Sequence, residues 1–442
     1  MKSKLFGCCI LGVALALTLS ISARPDRDDR AQDNAQCRDT ENHAHNVQTP
    51  VTIRDVIPIP GSPLASTDLS WTDPGTERFY LADRSNSAVD IVDTEKDIYV
   101  ARVTGYAGTP GTNGAGPNGV LVTPDGRLFA GDGNSKLQVA DVDPKSADYL
   151  KFLVPTPGCT SNCGVNTADP TFAGGKQCNN GTTNTCGRAD ELGYDPADHI
   201  IMVNNDAPTA AAPAVAWPYA TFVSTKTYKI LGQIIFTGAG GAEQPVWDAA
   251  MQRFLVTLPG TTTKAPEVAI IDPKNLNLGI VSTYPFPCSS IPGGGTSTSA
   301  NGAALGAFQH LLISACGEPI IVDALTGAVL HVVRDVGGGD EVWYNPGDGR
   351  FYVTSTDNTV VVPTGGTAPT VLGVIDAEDG SWLQNVPDMG GRNASAFPEN
   401  NRIFSPVRAT TTSPDNTICA TFGQLKGTGC IAVFDHKAGA RD

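Results

Sequence analysis

The stretch Asn118-Gly-Val-Leu-Val-Thr-Pro-Asp-Gly-Arg-Leu-Phe-Ala-Gly-Asp132 decides the fold. Two runs rich in β-branched and other apolar residues flank an Asp-Gly pair, which is the pattern of a β-hairpin. A third run of this kind occupies residues 137–143, and residues 148–154 predict a fourth strand. This unit therefore predicts a small sheet of four antiparallel strands.

The same unit recurs along the chain. Each copy begins with a polar residue that lies six positions ahead of the turn between its first two strands. These residues, called the ring residues below, follow one another at spacings of 39 to 72 residues. They are Asp68, Asn118, Asp190, Glu243, Asn301, Asp340 and Arg392. A unit repeated within one chain indicates a repeat architecture.

Seven such units predict an all-β fold, a seven-bladed β-propeller with four antiparallel strands per blade. A strand-like segment at residues 51–59 precedes the first unit. We expect this N-terminal strand to become the outer strand of the last blade, because that closes the ring and removes an exposed sheet edge. The alternative fold is a pair of β-sandwich domains.

The N-terminal segment predicts a protein that is processed after synthesis. Residues 1–23 combine Lys2 and Lys4 with an apolar run and small residues, as in a signal peptide. A membrane anchor is the alternative, but the apolar run is short for a spanning helix. Residues 24–50 are polar and predict a flexible leader, so the propeller would occupy 51–442. We expect a secreted or periplasmic monomer.

The composition limits the classes of molecule that this protein could bind. The formal charge of −15 disfavours nucleic acid and anionic membranes, since both require a basic surface. Small-molecule or carbohydrate substrates remain compatible with this charge. Two N-glycosylation sequons, at Asn180 and Asn393, matter only in a eukaryotic host.

Cysteine positions predict disulfides, which are the default in an oxidising compartment. We expect the pairs Cys178–Cys186, Cys288–Cys316 and Cys419–Cys430. Cys159 and Cys163 pair with each other or with the 178–186 pair, and Cys37 is left over. A zinc site built from Cys159, Cys163, Cys178 and Cys186 is the rival interpretation, although the spacing lacks CxxC knuckles.

Two stretches depart from the repeat, a Cys-rich insert at 155–188 and a shorter one at 206–220. Long ordered loops are often functional, and a surface excursion without function is the alternative.

The ring residues predict a candidate site. The innermost strand of each propeller blade runs along the central channel, so the ring residues should converge at one channel mouth. Four of them are followed directly by a further polar residue, namely Glu191, Gln244, Glu341 and Asn393. Crowded carboxylates raise each other's pKa unless a cation or Arg392 offsets them, which is typical of functional sites. A hydrated channel that binds only water is the alternative.

The repeated unit resembles the seven-bladed lactonase-like and YVTN-repeat propellers over about residues 51–436. That resemblance implies a divalent cation, Ca²⁺ or Mg²⁺, held by carboxylate and amide oxygens, that polarises a carbonyl group. Transferred by position, the ligands would be Asn118, Glu243, Asn301 and Asp340.

Two functional hypotheses follow. The first is a secreted enzyme of lactonase or lyase type that acts on a lactone or a sugar or uronide derivative at the channel mouth. Its catalytic residues would be Glu191, Glu341 and Arg392, with Glu243 as a further candidate base. Asp68, Asp190, Gln244 and Asn393 would bind the substrate. The second hypothesis is a non-catalytic secreted propeller that binds a protein or glycan partner through blade loops and the Cys-rich insert.

Overall fold

The computed structural model describes residues 49–108, 115–206, 217–363, 366–388, 390–391, 393–411 and 413–436. These residues form seven four-stranded antiparallel sheets, the blades of a propeller. The inner strands of neighbouring blades contact each other all the way round, and the last contacts the first. The predicted seven-bladed propeller is therefore confirmed, and the alternative of two sandwiches is wrong.

The first four blades follow the chain in order, each from its inner to its outer strand. Blade 1 contains β2 (Thr67–Asp73), β3 (Arg78–Asp83), β4 (Ala88–Asp93) and β5 (Ile98–Thr104). Blade 2 contains β6 (Val120–Thr123), β7 (Arg127–Asp132), β8 (Lys136–Asp141) and β9 (Val165–Asn166). Blade 3 contains β10 (Ala189–Asp195), β11 (Ile200–Asn205), β12 (Tyr219–Ser224) and β13 (Ile230–Ile235). Blade 4 contains β14 (Pro245–Asp248), β15 (Arg253–Leu258), β16 (Glu267–Ile271) and β17 (Ile280–Pro285).

The last three blades complete the ring. Blade 5 contains β18 (Ala300–Leu305), β19 (His310–Ala315), β20 (Glu318–Asp323) and β21 (Val329–Val332). Blade 6 contains β22 (Val342–Asn345), β23 (Arg350–Thr356), β24 (Thr370–Asp376) and β25 (Trp382–Pro387). Blade 7 contains β26 (Ser395–Phe397), β27 (Arg402–Val407), β28 (Cys430–His436) and β1 (Val51–Ile57). The described helices are the short α1 (Ala173–Cys178) and α2 (Ile418–Thr421) and three single turns of 3₁₀ helix at Leu276–Leu278, Cys288–Ser290 and Ala307–Gln309.

The ring closes as predicted. Strand β1 pairs antiparallel with β28, from Val51 opposite His436 to Ile57 opposite Ile431. The side-chain amide of Gln384, in blade 6, accepts from the Val51 N–H and donates to the Val51 carbonyl. The N-terminal strand is therefore fixed both to its own sheet and to the neighbouring blade.

Apolar side chains on both faces of each sheet form the core between blades. Successive side chains of a strand point to opposite faces, and each face here is covered by the next blade. Phe79 of blade 1 packs on Phe404 of blade 7 with ring centroids 5.2 Å apart, and both are fully buried. The outer strands face solvent and expose residues such as Ile98 and Leu231. The blades are thus held together mainly by the burial of apolar surface.

One strand prediction was wrong. Residues 148–154 do not form the fourth strand of blade 2; only isolated bridges, from Tyr149 and Phe152, reach β8 there. The fourth strand is the two-residue β9, which pairs with Lys136 and Leu137. Leu150 has a φ of 64°, which interrupts an extended chain, and Pro155 has no N–H for a sheet ladder.

Four disulfides form, and the three expected pairs are confirmed. Cys159 bonds to Cys163, so the four cysteines considered as a zinc site make two disulfides instead. Cys37, the predicted signal peptide and residues 24–48 of the predicted leader lie outside the described residues. Disulfides are typical of proteins that fold in an oxidising, extracytoplasmic compartment. Within the ranges given above, no helix has the length and apolar character needed to cross a membrane.

The Cys-rich insert packs against blade 3. The Gln177 amide donates to the Trp217 carbonyl and accepts the Trp217 N–H, at 2.7 and 3.0 Å. The Gly175 N–H donates to the side chain of Gln233 at 2.9 Å. The insert also contributes β9, so it is part of the propeller wall rather than a detached loop.

Candidate functional site at the channel mouth

Six of the seven ring residues lie where the sequence pattern predicts, at the start of the inner strands. Asp68, Asp190 and Asn301 are the second residues of β2, β10 and β18. Asn118, Glu243 and Asp340 lie two residues before β6, β14 and β22. Arg392 lies outside the described residues.

The carboxyl groups of the ring are close enough to perturb one another. The negative charges of Asp190 and Asp340 both raise the pKa of Asp68, after the larger effect of burial. Burial likewise raises the pKa of Glu243, and the charges of Asp190, Asp206 and Asp340 raise it further. Four ring residues from four different blades therefore share one electrostatic environment.

Backbone positions at the mouth are fixed by polar side chains that reach into the next blade. The Asn204 amide donates to the Glu243 carbonyl at 2.5 Å, and the Thr257 hydroxyl donates to the Asn301 carbonyl. Gly119 donates its N–H to the Asp190 carbonyl at 3.0 Å. A Cβ atom on Gly119 would lie 2.4 Å from that oxygen, so only glycine permits this approach. These bonds set the spacing of the ring.

Arg84, which sequence reasoning missed, lies between two ring residues. It directly follows β3 and donates from Nη2 to the Asp68 carboxylate and from Nε to Asn118 Oδ1 at 2.9 Å. The Asn118 amide nitrogen donates to the carbonyls of Ala115 and Ala189 at 3.0 and 2.8 Å. Burial raises the pKa of Asp68 to about 6, although the Arg84 charge lowers it.

Arg188 is a second cation that the repeat pattern did not indicate. Its guanidinium lies 2.7 Å from Asp190 Oδ2 and 3.6 Å from Asp206 Oδ2. The charge of Asp190 raises the pKa of Arg188, so this side chain stays positive. About 30% of the Arg188 side chain is exposed, which leaves it accessible from the mouth. Two fixed arginines therefore lie among the ring carboxylates.

Glu191 and Glu341 directly follow the ring residues Asp190 and Asp340. They belong to blades 3 and 6, and each carboxyl group influences the pKa of the other, so the two lie near each other across the channel. Both are buried, and burial raises the pKa of each well above the ordinary value. The charge of Glu341 raises the pKa of Glu191 further. Two buried carboxyl groups that lie close together oppose each other's ionisation, so the pair retains a proton to a higher pH than two separate carboxyl groups do.

Below this pair, two tryptophans cross the channel. Trp343 follows Glu341 by two residues, roughly 7 Å along the strand. Its ring meets Trp71 of blade 1 edge to face, with centroids 5.2 Å apart. The aromatic pair therefore lies deeper in the channel than the two carboxyl groups.

Three other predicted residues bond within the wall of the mouth. Gln244 Oε1 accepts the Ala303 N–H at 2.8 Å, which joins blades 4 and 5. The Asn301 amide donates to Asp340 Oδ1 at 3.3 Å. Asn393 is buried; its Oδ1 accepts from the Ser70 hydroxyl at 2.7 Å and its amide donates to the Asp68 carbonyl. These side chains connect neighbouring blades.

The four residues predicted as metal ligands do not form one set of free oxygen donors. Asn118 Oδ1 accepts from Arg84, and Asn301 lies against Asp340 through its amide nitrogen. Among the residues that the structure describes, no group of three or more His, Cys, Asp and Glu is arranged to hold a metal ion. The divalent cation stays a prediction, and the proposal below does not depend on it.

Comparison with known proteins identifies the fold alone. No protein-family model matches the chain, and no curated protein matches it in sequence. Among solved structures 1295 chains match, which is expected of a widespread fold. A chain of the crystal structure of the mitotic checkpoint complex has a TM-score of 0.51 at 12% identity, covering 89% of this chain and 95% of that one. The structure of U3-55K has a TM-score of 0.53 at 10% identity, covering 86% of this chain and 98% of that one. The lactonase or YVTN type stays a prediction.

Proposed function

We propose that this protein is a secreted propeller enzyme of lactonase or lyase type that works at the channel mouth by general acid–base catalysis. Its substrate would be a lactone or a sugar or uronide derivative. The observation that carries the proposal is the position of two buried carboxyl groups, Glu191 and Glu341, at the channel mouth, where Arg188 pairs with Asp190.

The carboxyl pair supplies an acid and a base together. The deprotonated member takes a proton from an attacking water or from the carbon next to the substrate carbonyl. The protonated member returns a proton to the leaving oxygen. A raised pKa suits this task because it keeps a carboxyl group protonated to a higher pH, where it is available as a general acid.

Arg188 supplies the positive charge in this proposal, the role that sequence analysis assigned to Arg392. A fixed guanidinium stabilises the negative oxygen that develops on a carbonyl during lactone opening or enolate formation. Glu243 is close enough to Arg188 for that charge to lower its pKa, which places a third carboxyl group beside the cation. Should a divalent cation bind, it would polarise the same carbonyl group.

Burial of the carboxyl groups also favours a functional site. A buried carboxyl group opposes folding at any pH where it must ionise, and apolar residues in its place are often neutral or stabilising. Strongly perturbed carboxyl groups in a cleft are therefore typical of catalytic sites.

The test is a substrate screen with the mature, oxidised protein. The panel contains glucono-δ-lactone, dihydrocoumarin and polygalacturonate, the last followed by the absorbance of unsaturated products. We expect turnover of at least one member, reduced about 10²–10⁴-fold in Glu341→Gln and in Arg188→Met.

The matched control is Glu318→Gln. Burial also raises the pKa of Glu318, to about 7, but this residue lies in blade 5, where the Arg334 charge partly offsets that rise and no ring carboxyl group acts on it. The control should keep full activity. No turnover of any panel member, or full activity in Glu341→Gln, would contradict the proposal. Loss of activity on chelation, restored by Ca²⁺ or Mg²⁺, would support the predicted cation.

A binding propeller is the second candidate, favoured by the internal pairing of the ring. Arg84 bridges Asp68 and Asn118, and Arg188 pairs with Asp190, so these two carboxylates already have cationic partners without a ligand. One similar solved structure is a protein assembly, the mitotic checkpoint complex. For this candidate a partner captured by the wild type should be captured equally by Glu341→Gln and Arg188→Met.

A further inference from the structure

The four disulfides of the described residues differ in how deeply they are buried. In three of them both cysteines are buried, with at most 6% of each residue exposed; these are Cys178–Cys186, Cys288–Cys316 and Cys419–Cys430. In the fourth, called the loop disulfide below, Cys159 is half-buried and Cys163 is 7% exposed. Because a disulfide is broken by a thiolate that must reach one of its sulfur atoms, the loop disulfide is the most accessible of the four.

The surroundings of the loop disulfide also admit a small thiol. Both of its cysteines line a cavity of about 550 Å³ over blade 2. Residues 155–162 are exposed, except for the half-buried Cys159. Lys136 lines the same cavity, and its ammonium group donates to Asn162 Oδ1, one residue before the second cysteine, at 3.1 Å. A positive charge near a cysteine favours the thiolate form, so this lysine assists the departure of the leaving sulfur.

The loop disulfide closes the loop that leads into β9, the outer strand of blade 2. Cys163 lies two residues before β9, whose two residues pair with Lys136 and Leu137 of β8. Between the disulfide and the strand, the Gly164 N–H donates to the Val154 carbonyl at 3.0 Å. A strand with so few pairs opens easily unless the chain that enters it is fixed. The loop disulfide therefore helps to hold β9 in place.

The chain beyond β9 is held independently of this bond. The N–H and the hydroxyl group of Thr167 both donate to the Ser135 carbonyl, at 3.0 and 2.9 Å. The Cys178–Cys186 disulfide and the hydrogen bonds from α1 to blade 3 fix the rest of the Cys-rich insert. Breaking the loop disulfide should therefore release residues 155–166 while the remainder of the propeller stays folded.

We propose that the loop disulfide is a redox-sensitive switch at the outer edge of blade 2. The thiolate of a low-molecular-weight thiol attacks the Cys159 sulfur, the sulfur–sulfur bond breaks, and the Cys163 sulfur leaves as a thiolate and takes up a proton. A second thiol then displaces Cys159 from the mixed disulfide. The protein gains two electrons and two protons in total, and the two thiol molecules become one disulfide.

The consequence of the switch is a change at a sheet edge. Release of β9 uncovers the edge of β8 at Lys136 and Leu137. An uncovered edge presents unpaired N–H and carbonyl groups, to which an extended segment of another chain can add as a strand. This inference does not rest on the proposed enzymatic activity.

The first test is graded reduction of the mature, folded protein with glutathione at pH 8. Free thiols are blocked beforehand with N-ethylmaleimide, and thiols that appear during reduction are labelled with its isotopically heavy form and assigned by peptide mass spectrometry. We expect Cys159 and Cys163 to be labelled at a glutathione concentration at least tenfold lower than any cysteine of the other three disulfides. In denaturant this order should disappear, because burial then protects none of them.

The second test is hydrogen exchange, which measures the structural consequence. When the loop disulfide is reduced, the amides of residues 155–166 and of Lys136 and Leu137 should exchange at least tenfold faster, while those of β19 in blade 5 should not change. The double variant Cys159→Ser/Cys163→Ser should exchange in the same way without glutathione. The matched control Thr160→Ala changes an exposed residue of the same loop and should exchange like the wild type.

Three results would overturn the proposal. The first is a cysteine of another disulfide that is labelled as readily as those of the loop disulfide. The second is the same order of labelling in denaturant, and the third is unchanged exchange near β9 when the bond is absent. Because the labelling is measured on the wild type, it does not depend on whether the double variant folds.

Discussion

Arg84 allows a sharp test of the electrostatics at the mouth. Its side chain is 11% exposed and its partner Asp68 15%, so this ion pair is largely buried. At pH 8 the Asp68 carboxylate is charged, and Arg84→Met leaves it without its partner. Breaking a buried pair in this way costs about 3–5 kcal/mol. For a domain of this size that is a decrease in melting temperature of about 4–6 °C.

The loss of stability caused by Arg84→Met should be smaller at low pH. Because the folded pKa of Asp68 is raised to about 6, its contribution to stability is complete below the unfolded pKa and is lost as the pH rises through 6. Without Arg84 the folded pKa rises further, so the variant loses more stability than the wild type between pH 6 and pH 8. At pH 5 Asp68 is mostly neutral in both proteins, and only hydrogen bonds worth about 1–2 kcal/mol are lost.

The matched control is Arg78→Met in the same blade. Arg78 pairs with the buried Asp93 at 3.1 Å, and Lys96 also contacts Asp93. Because Lys96 and two backbone N–H groups still bind the Asp93 carboxylate, this variant should lose only about 1 kcal/mol at either pH. The measurement is a thermal melt of the three proteins at pH 5 and pH 8. An equal cost of Arg84→Met at both pH values, or a cost no larger than that of Arg78→Met, would refute the reasoning.

Three further predictions follow from the structure. The melting temperature of Glu341→Gln should be close to that of the wild type at pH 5 and higher at pH 9. The reason is that the raised pKa of Glu341 makes the wild type lose stability as the pH rises. Scanning fluorimetry that shows the same pH dependence for both proteins would contradict this. Replacing Cys288 and Cys316 by serine should lower the free energy of unfolding by about 3–4 kcal/mol, and replacing Cys159 and Cys163 should lower it by about 2 kcal/mol. The difference is expected because the two disulfides close loops of 28 and 4 residues. Calorimetry that shows the reverse order would argue against loop entropy as the cause. In a glycosylating host, the protein should carry a glycan on the exposed Asn180 and none on Asn393, which is 2% exposed. Peptide mass spectrometry measures the occupancy of both sequons. A glycan on Asn393 would mean that the channel mouth is open during folding.

The repeated hairpin was predictable because its signals are local. Residues 127–132 form a strand as expected, and Gly126 at the preceding turn has a φ of 74°, a conformation that glycine adopts readily. The ring positions followed from the same repeat, since equivalent residues of a closed ring lie at equivalent places. The outer strand of blade 2 was less predictable, because it lies within the Cys-rich insert and pairs through only two residues.

The positions of the candidate residues on the inner strands were predictable, but the side chains that contact them were not. Arg84 follows the second strand of its blade and Arg188 precedes an inner strand, so neither shares the position of a ring residue. A contact between residues far apart in the chain leaves no periodic pattern.

By itself, then, the sequence determined the number of blades, the strand that closes the ring, three of the disulfides and the end of the channel where polar residues collect. These follow from alternation, turn chemistry and repetition, which act over a few residues. Only the tertiary structure decided that Glu191 meets Glu341 across the channel and that arginines hold Asp68 and Asp190. Those pairings depend on how far each blade is rotated around the ring, which is set by the packing of the apolar side chains between all seven blades.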